Sequence, residues 1–262
     1  MPAINTDHHL SKCWQSIDRR NFVPKNQQLK SHQDSPIPIG HNQTTSQPTL
    51  ILDMLKHLEI KPPSKLNPRR KREKPIRALD IGSGSGIVTA LLACALPSSA
   101  TVTGIDIYPE LVKAARRNIK KIPQTQRKSF STMQFKVGDA YKFFDLRQHA
   151  RKYDLIYVGA EPKGKTNVDA FKQGIPRLLA KGGRAVAPIE GVIQTYVTSW
   201  VKVGPKIRFV PLQDTRSAAQ KIGHARRRTR KYIKNRERGT RKQKHLKHLK
   251  QPKQPKQTEE IQ

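Results

Sequence analysis

The chain has 262 residues, enough for one good-sized domain with extensions, yet its 35% apolar content is thin for a wholly packed chain of that length. Lysine and arginine number 52 against 19 acidic residues, a net charge of +33 that exceeds what solubility requires. No apolar run is long enough to span a bilayer, and "MPAINTDHHL" has neither the basic nor the apolar part of a secretory signal, which argues against membrane and secreted classes.

Up to Lys61 the chain reads as polar and loop-like, with "SPIPIG" imposing extended or turn backbone ahead of Pro36 and Pro38. One helix interrupts it: "PTLILDMLKHLEI" places Leu50, Met54, Leu55 and Leu58 on one face, with Pro48 near its start. Residues 1–60 therefore form an N-terminal segment with a helix, and "KPPSKLNPRRKREKP", within 61–76, is a basic linker. The segment also holds Cys13, and Cys94 lies downstream in the apolar run "TALLACAL". A small core thiol is the expectation there, not a disulfide, and a reducing compartment fits.

From residue 77 strands and helices alternate. "IRALDI" is a strand, "GIVTALLACAL" a helix stopped by Pro97, "ATVTGID" a strand, and "PELVKAARRNIKKI" a helix opened by Pro109. "MQFKVGD" and "DLIYVGA" are strands, "VDAFKQGIPRLL" a helix interrupted near Gly174 and Pro176, and "GGRAVAPI" a strand. "QTYVTSWVKV" and "IRFVPL" read as a terminal antiparallel pair. The expected fold is α/β, a doubly wound, mostly parallel sheet of seven strands over residues 77–214. Residues 215–262 are a basic tail, helical or disordered, in which residues 216–262 hold 17 basic and 3 acidic side chains.

"ALDIGSGSG" puts Asp80 at a strand end, followed by Gly82, Ser83, Gly84, Ser85 and Gly86 ahead of a helix. Glycines there permit a tight turn and close approach of a ligand, and the amides of the helix start are expected to point into the cleft. Asp106 ends the next strand, where a carboxylate can accept from ribose hydroxyls. The spacing is G-x-G-x-G, not the G-x-G-x-x-G that cradles a pyrophosphate, so the expected ligand is a nucleoside with an amino-acid tail such as S-adenosyl-L-methionine. Gly138 and Asp139 of "VGDA" end a third strand, where Asp139 can accept from an adenine amino group. The plainer alternative is a tight turn, with the three aspartates serving as caps and turn formers.

"RRNFVP", "DSPIPIGHNQTTSQP", "ALDIGSGSGIVTALLA", "GIDIYPELV", "VGDA", "YDLIYVGA", "IPRLLAKGGRAVAPI" and "FVPL" together resemble the protein-L-isoaspartate O-methyltransferases over roughly residues 19–214. The resemblance implies transfer of a methyl group from S-adenosyl-L-methionine to the side carboxylate of isoaspartyl residues in damaged proteins. Such a carboxylate, with an ordinary pKa of about 3.9, is already ionised near neutrality and needs no general base. Alignment by neutral donors then suffices, and the resemblance implies Ser46 as the catalytic serine, beside Thr44. Gln43, Thr45 and His41 are placed on the substrate side, where His41 can hydrogen-bond substrate backbone, the plainer alternative being an exposed loop histidine with no role. Thr45 stands where the family shows Ile, Ala140 replaces a glycine, and "GAEPKGKTNVDAFKQGIP" is longer than usual. On local sequence alone Ser46 is a helix N-cap.

No metal site is expected, since His8 and His9 lack ligand company. The tail is expected to contact nucleic acid or another polyanion through residues 216–250, electrostatically and with little base reading, or to act as a nuclear or nucleolar address. A cytoplasmic, monomeric enzyme is the working expectation. A catalytically weak binding module of a ribonucleoprotein assembly is the alternative, and RNA methylation is disfavoured because "GAEP" is a poor substitute for N-P-P-Y.

Overall fold

The computed structural model describes residues 8–61, 74–145, 147–162, 164–189, 192–197 and 206–211. The tail from 212 onward and the linker residues 62–73 lie outside the described residues, as do the expectations placed on them.

The segment before Lys61 is more ordered than its polarity implies. Helix α1 (His8–Ser16) buries Leu10 and Cys13, with Ile17 just beyond, a spacing of three and four that makes one apolar stripe. Two 3-10 turns follow, Arg19–Phe22 with a buried Phe22, and Lys25–Lys30. Strands β1 (Ile37–Gly40) and β2 (Gln43–Thr45) pair as a hairpin. The turn residues His41 and Asn42 both have φ of 54°, the signature of a type I′ turn. Pro38 pairs with Thr44 and Gly40 with Gln43, so Ile39 is a bulge. Helix α2 (Pro48–His57) then buries Ile51, Leu52, Met54 and Leu55, with Leu50 partly covered.

The remaining elements are β3 (Arg77–Ile81), α3 (Ile87–Ala95), β4 (Thr101–Asp106), α4 (Pro109–Lys120), α5 (Gln124–Arg127), β5 (Thr132–Val137), α6 (Ala140–Asp145), β6 (Tyr153–Val158), α7 (Lys165–Leu178), β7 (Leu179–Ile189), β8 (Val192–Val197) and β9 (Lys206–Pro211). Their sheet has the order β5-β4-β3-β6-β7-β8-β9. The pairs from β5 to β7 are parallel, and β7/β8 and β8/β9 are antiparallel. The doubly wound, mostly parallel architecture is thus the expected one.

Alternation along the inner strands sends successive side chains to opposite faces. Ala78 and Tyr157 join the core beneath α1, α2, α3 and α4, while Leu79, Ile81, Ile156 and Val158 join a second core with Phe143, Phe144 and Phe171 from α6 and α7. Because the chain leaves β3 for β4 and β5 and then crosses to β6, the strand order reverses beside β3. Ligands of such sheets bind at the carboxyl ends around that point.

Two expectations are corrected here. Helix α7 runs through both Gly174 and Pro176 without interruption; a Cβ at 174 would lie 2.2 Å from the Phe144 ring, so the glycine answers a close approach between α6 and α7, not a break. Cys13 and Cys94 are not core thiols but a disulfide joining α1 to α3, with their Cα atoms 5.8 Å apart. With α1 read as loop, nothing in the sequence brought the two together, and the argument from free thiols to a reducing compartment loses its basis.

Candidate active site

The loop after β3 is built around a buried acid. Asp80 is 1% exposed; its Oδ2 accepts from Thr89 Oγ1 of α3 at 2.6 Å, while Oδ1 has no hydrogen-bond partner among the described residues. Burial, reinforced by the Asp106 charge and opposed by Thr89, pushes its pKa up to about 7. Ser83 and Ser85 are also buried, each with an unpartnered hydroxyl. Four amides of the glycine loop are committed inside the protein. Gly82 and Ser83 donate to Ile105 O, Gly84 donates to Asp106 Oδ2, and Gly86 donates to Ser83 O, at 2.8–2.9 Å. The loop is thereby fastened to β4.

Asp106 is 7% exposed and also accepts from Tyr108 N at 3.1 Å. Asp139 Oδ1 accepts from Tyr141 N at 2.9 Å, which caps α6. Its capping role is the plain alternative realised, while its side chain still borders the cleft described next.

Two cavities meet at the hairpin. The larger, about 440 Å³, is walled by Asn42, Gln43 and Thr44 on one side and by Asp106, Tyr108, Gly138, Asp139, Glu161 and Pro162 on the other. The smaller, about 30 Å³, is lined by Thr45, Ser46, Ser83 and Ser85. Ile39, Thr44, Gly82, Gly84 and Gly159 belong to both. Gly84, with φ of +51°, is where the hairpin touches the loop: a Cβ there would lie 2.9 Å from Ile39 Cδ1. Asp80, Gly86 and His41 line neither cavity.

Ser46 is not a cap. The cap residue of α2 is Gln47, without a side-chain bond, and Asp34 reaches across to accept from Thr49 N at 3.0 Å and Thr49 Oγ1 at 2.9 Å. Ser46 is held through its carbonyl, which accepts from Arg19 Nη2 at 2.9 Å. The same guanidinium donates to Ser31 O, Gln33 O and Ser35 O, and burial lowers its pKa to about 10.

The family model described as protein-L-isoaspartate(D-aspartate) O-methyltransferase matches residues 2–217. The chain belongs to this family. It is 31% identical over 218 residues to protein-L-isoaspartate O-methyltransferase 2 of Arabidopsis thaliana, covering 80% of this chain and 64% of that one, just under two thirds of the relative's length. It is 31% identical over 207 residues to the Methanoculleus marisnigri protein-L-isoaspartate O-methyltransferase, covering 79% and 80%. A Plasmodium falciparum protein assigned as a protein-L-isoaspartate O-methyltransferase, solved with S-adenosyl-L-homocysteine, shares the fold with a TM-score of 0.60 at 22% identity, over 79% of this chain and 88% of that one.

For a protein-L-isoaspartate O-methyltransferase family member, the donor set fits an adenosyl ligand with an amino-acid tail. The larger cavity has the volume of such sites, and two carboxylates, Asp106 and Asp139, border it at adjacent strand ends. Sequence reasoning missed Arg19, although "RRNFVP" was among the stretches carrying the resemblance, and missed Tyr108 and Glu161, for which spacing carried no signal. Among the described residues, no group of three or more His, Cys, Asp or Glu could hold a metal. None of the helices there is long and apolar enough to cross a membrane.

Proposed function

We propose that this protein methylates the side carboxylate of isoaspartyl residues in damaged proteins or peptides. The observation that carries the reading is the hairpin: it brings Thr44 and Ser46 against the glycine loop, so that two adjoining cavities share Thr44, Gly82 and Gly84. S-adenosyl-L-methionine, when bound, supplies a methyl group on a positively charged sulfonium. Asp106 and Asp139 hold that ligand's polar ends, with Gly82, Gly84 and Gly138 shaping the walls, Ser83 and Ser85 lining the adjoining smaller cavity, and Asp80 and Gly86 supporting the loop from beneath.

The substrate oxygen arrives ionised, so the protein's task is alignment and exclusion of water. Thr44 and Ser46 orient the carboxylate with neutral donors, and Gln43, Thr45 and His41 support the substrate side. Arg19 fixes the Ser46 backbone while its charge stays buried under four carbonyls. A cation facing the carboxylate would instead stabilise the ground state. Holding two reactants in line contributes on the order of 7–11 kcal/mol in favourable cases, which makes positioning a sufficient main source of rate.

The test is incubation with methyl-labelled S-adenosyl-L-methionine and an isoaspartyl peptide beside its normal aspartyl twin. Base-labile methyl ester on the isoaspartyl peptide alone supports the reading; ligand binding with neither peptide methylated replaces it with the binding-module alternative.

The organisation proposed with it is an N-terminal substrate-side segment (1–60), a basic linker (61–76), a cofactor-binding core (77–214) and a tail (215–262) that tethers the enzyme, as a monomer, to nucleic acid or another polyanion through residues 216–250. The density of lysine and arginine there is the ground for placing it in cytoplasmic, nuclear or nucleolar surroundings. Truncation after Asp214 should abolish retention on heparin or RNA and leave peptide methylation in place.

A further inference from the structure

We propose that His41 is a positioning residue: by stacking on Tyr108 it fastens the tip of the β1–β2 hairpin to the start of α4, and so sets how long the large cavity retains an adenosyl ligand. The proposal rests on the function proposed above and adds the device that keeps one wall of that cavity in place.

Three separate features meet at this residue. The first is backbone. His41 occupies the first central position of the type I′ turn at φ 54°, where glycine and asparagine are favoured. A histidine kept in the left-handed region is held there by its surroundings, and such positions concentrate at ligand clamps.

The second is the ring. The imidazole and the Tyr108 ring lie with centroids 4.8 Å apart and planes 24° from parallel, a stacked pair. The third is a polar neighbour: His41 Nε2 lies 3.7 Å from Glu110 Oε2 in the first turn of α4. A side chain idle in solvent would satisfy neither of the last two.

The two ends of the contact are what give it meaning. Tyr108 is the cap residue of α4; its amide donates to Asp106, and it lines the large cavity. Asn42, Gln43 and Thr44 follow His41 directly and form the facing wall. His41 itself lines neither cavity, so it acts on the ligand through the two walls it joins. At its base the hairpin is secured by Arg19, and at the bulge by Ile39 against Gly84. The stack secures its tip.

The experiment follows S-adenosyl-L-homocysteine on the full chain, with equilibrium affinity by calorimetry, release rate by stopped flow, and Tm alongside. His41→Asn gives the turn its favoured residue and removes the ring. The expected result is a Tm equal to or above wild type together with release roughly three- to tenfold faster, the range one aromatic pair supplies. His41→Phe keeps a ring for Tyr108 at an unfavourable turn residue, so it should lower Tm yet bring release back to within about twofold of wild type. A merely structural histidine would move stability and retention in the same direction.

His41→Asn releasing the ligand at the wild-type rate overturns the proposal, as does His41→Phe releasing it as fast as His41→Asn. A wild-type chain that binds no S-adenosyl-L-homocysteine sinks the cofactor reading and the clasp together. One that binds it but methylates no isoaspartyl peptide sinks the proposed activity alone, and the release rates still decide the clasp.

Discussion

Replacing Asp80 by Asn should flatten the dependence of stability on pH. Asp80 is fully enclosed, with one oxygen bonded to Thr89 and the other unpartnered, and its pKa is pushed up from an ordinary 3.8 to about 7. The folded protein therefore keeps this proton to a higher pH than the unfolded chain does. Below about pH 4 both states hold it; between pH 4 and 7 the folded state alone binds it, so the contribution to stability falls as pH rises and levels off above pH 7. At 1.36 kcal/mol per pH unit, the loss between pH 5 and pH 8 is about 2–3 kcal/mol, or about 5–10 °C in Tm for a domain of this size. Asn keeps an acceptor for Thr89 Oγ1 and does not titrate. Any fixed cost of its buried amide is the same at both pH values and cancels. The measurement is Tm of both proteins without ligand from pH 5 to pH 8; a wild-type fall no steeper than that of Asp80→Asn would refute the argument from burial.

Ser46→Ala should lower kcat for an isoaspartyl peptide by roughly 10- to 100-fold, the worth of one hydrogen bond to a charged group, with little change in S-adenosyl-L-homocysteine affinity by calorimetry. Arg19→Lys leaves a single ammonium where a planar fork met four carbonyls, so denaturant unfolding should show a loss of about 3 kcal/mol, with peptide turnover falling as the Ser46 backbone is released. Cys13→Ser opens a disulfide whose cysteines are 81 residues apart and should remove about 4 kcal/mol of stability under non-reducing conditions; a reductant should bring wild type down to the variant's Tm.

The central sheet was legible because its strands are apolar runs bounded by glycine, proline and aspartate, and those residues also mark where the carboxyl ends lie. Asp106 and Asp139 followed from position alone. The segment ahead of the sheet was not legible in the same way. α1 is polar except for Leu10, Cys13 and Trp14, with Ile17 just beyond it, too few for a period to stand out, and its order comes from packing on α3. The cap of α2 lies 15 residues upstream at Asp34, beyond any local rule, and this is why a local reading assigned the task to Ser46. Arg19 carried no sign of burial, since a guanidinium with four carbonyl partners exists only once the chain has turned back on itself. Glycine spacing likewise tells that a turn is tight, but not that Ile105 and Asp106 accept from three of its amides.

The guanidinium of Arg19 gathers carbonyls from residues 31, 33 and 35 on one leg of the hairpin and from residue 46 on the other. Both feet of the excursion between them are thereby pinned to one rigid cross-brace. The ten residues 36–45 are closed off at a single point, so a change at Arg19 loosens the approach to Thr44 and the exit through Ser46 at once.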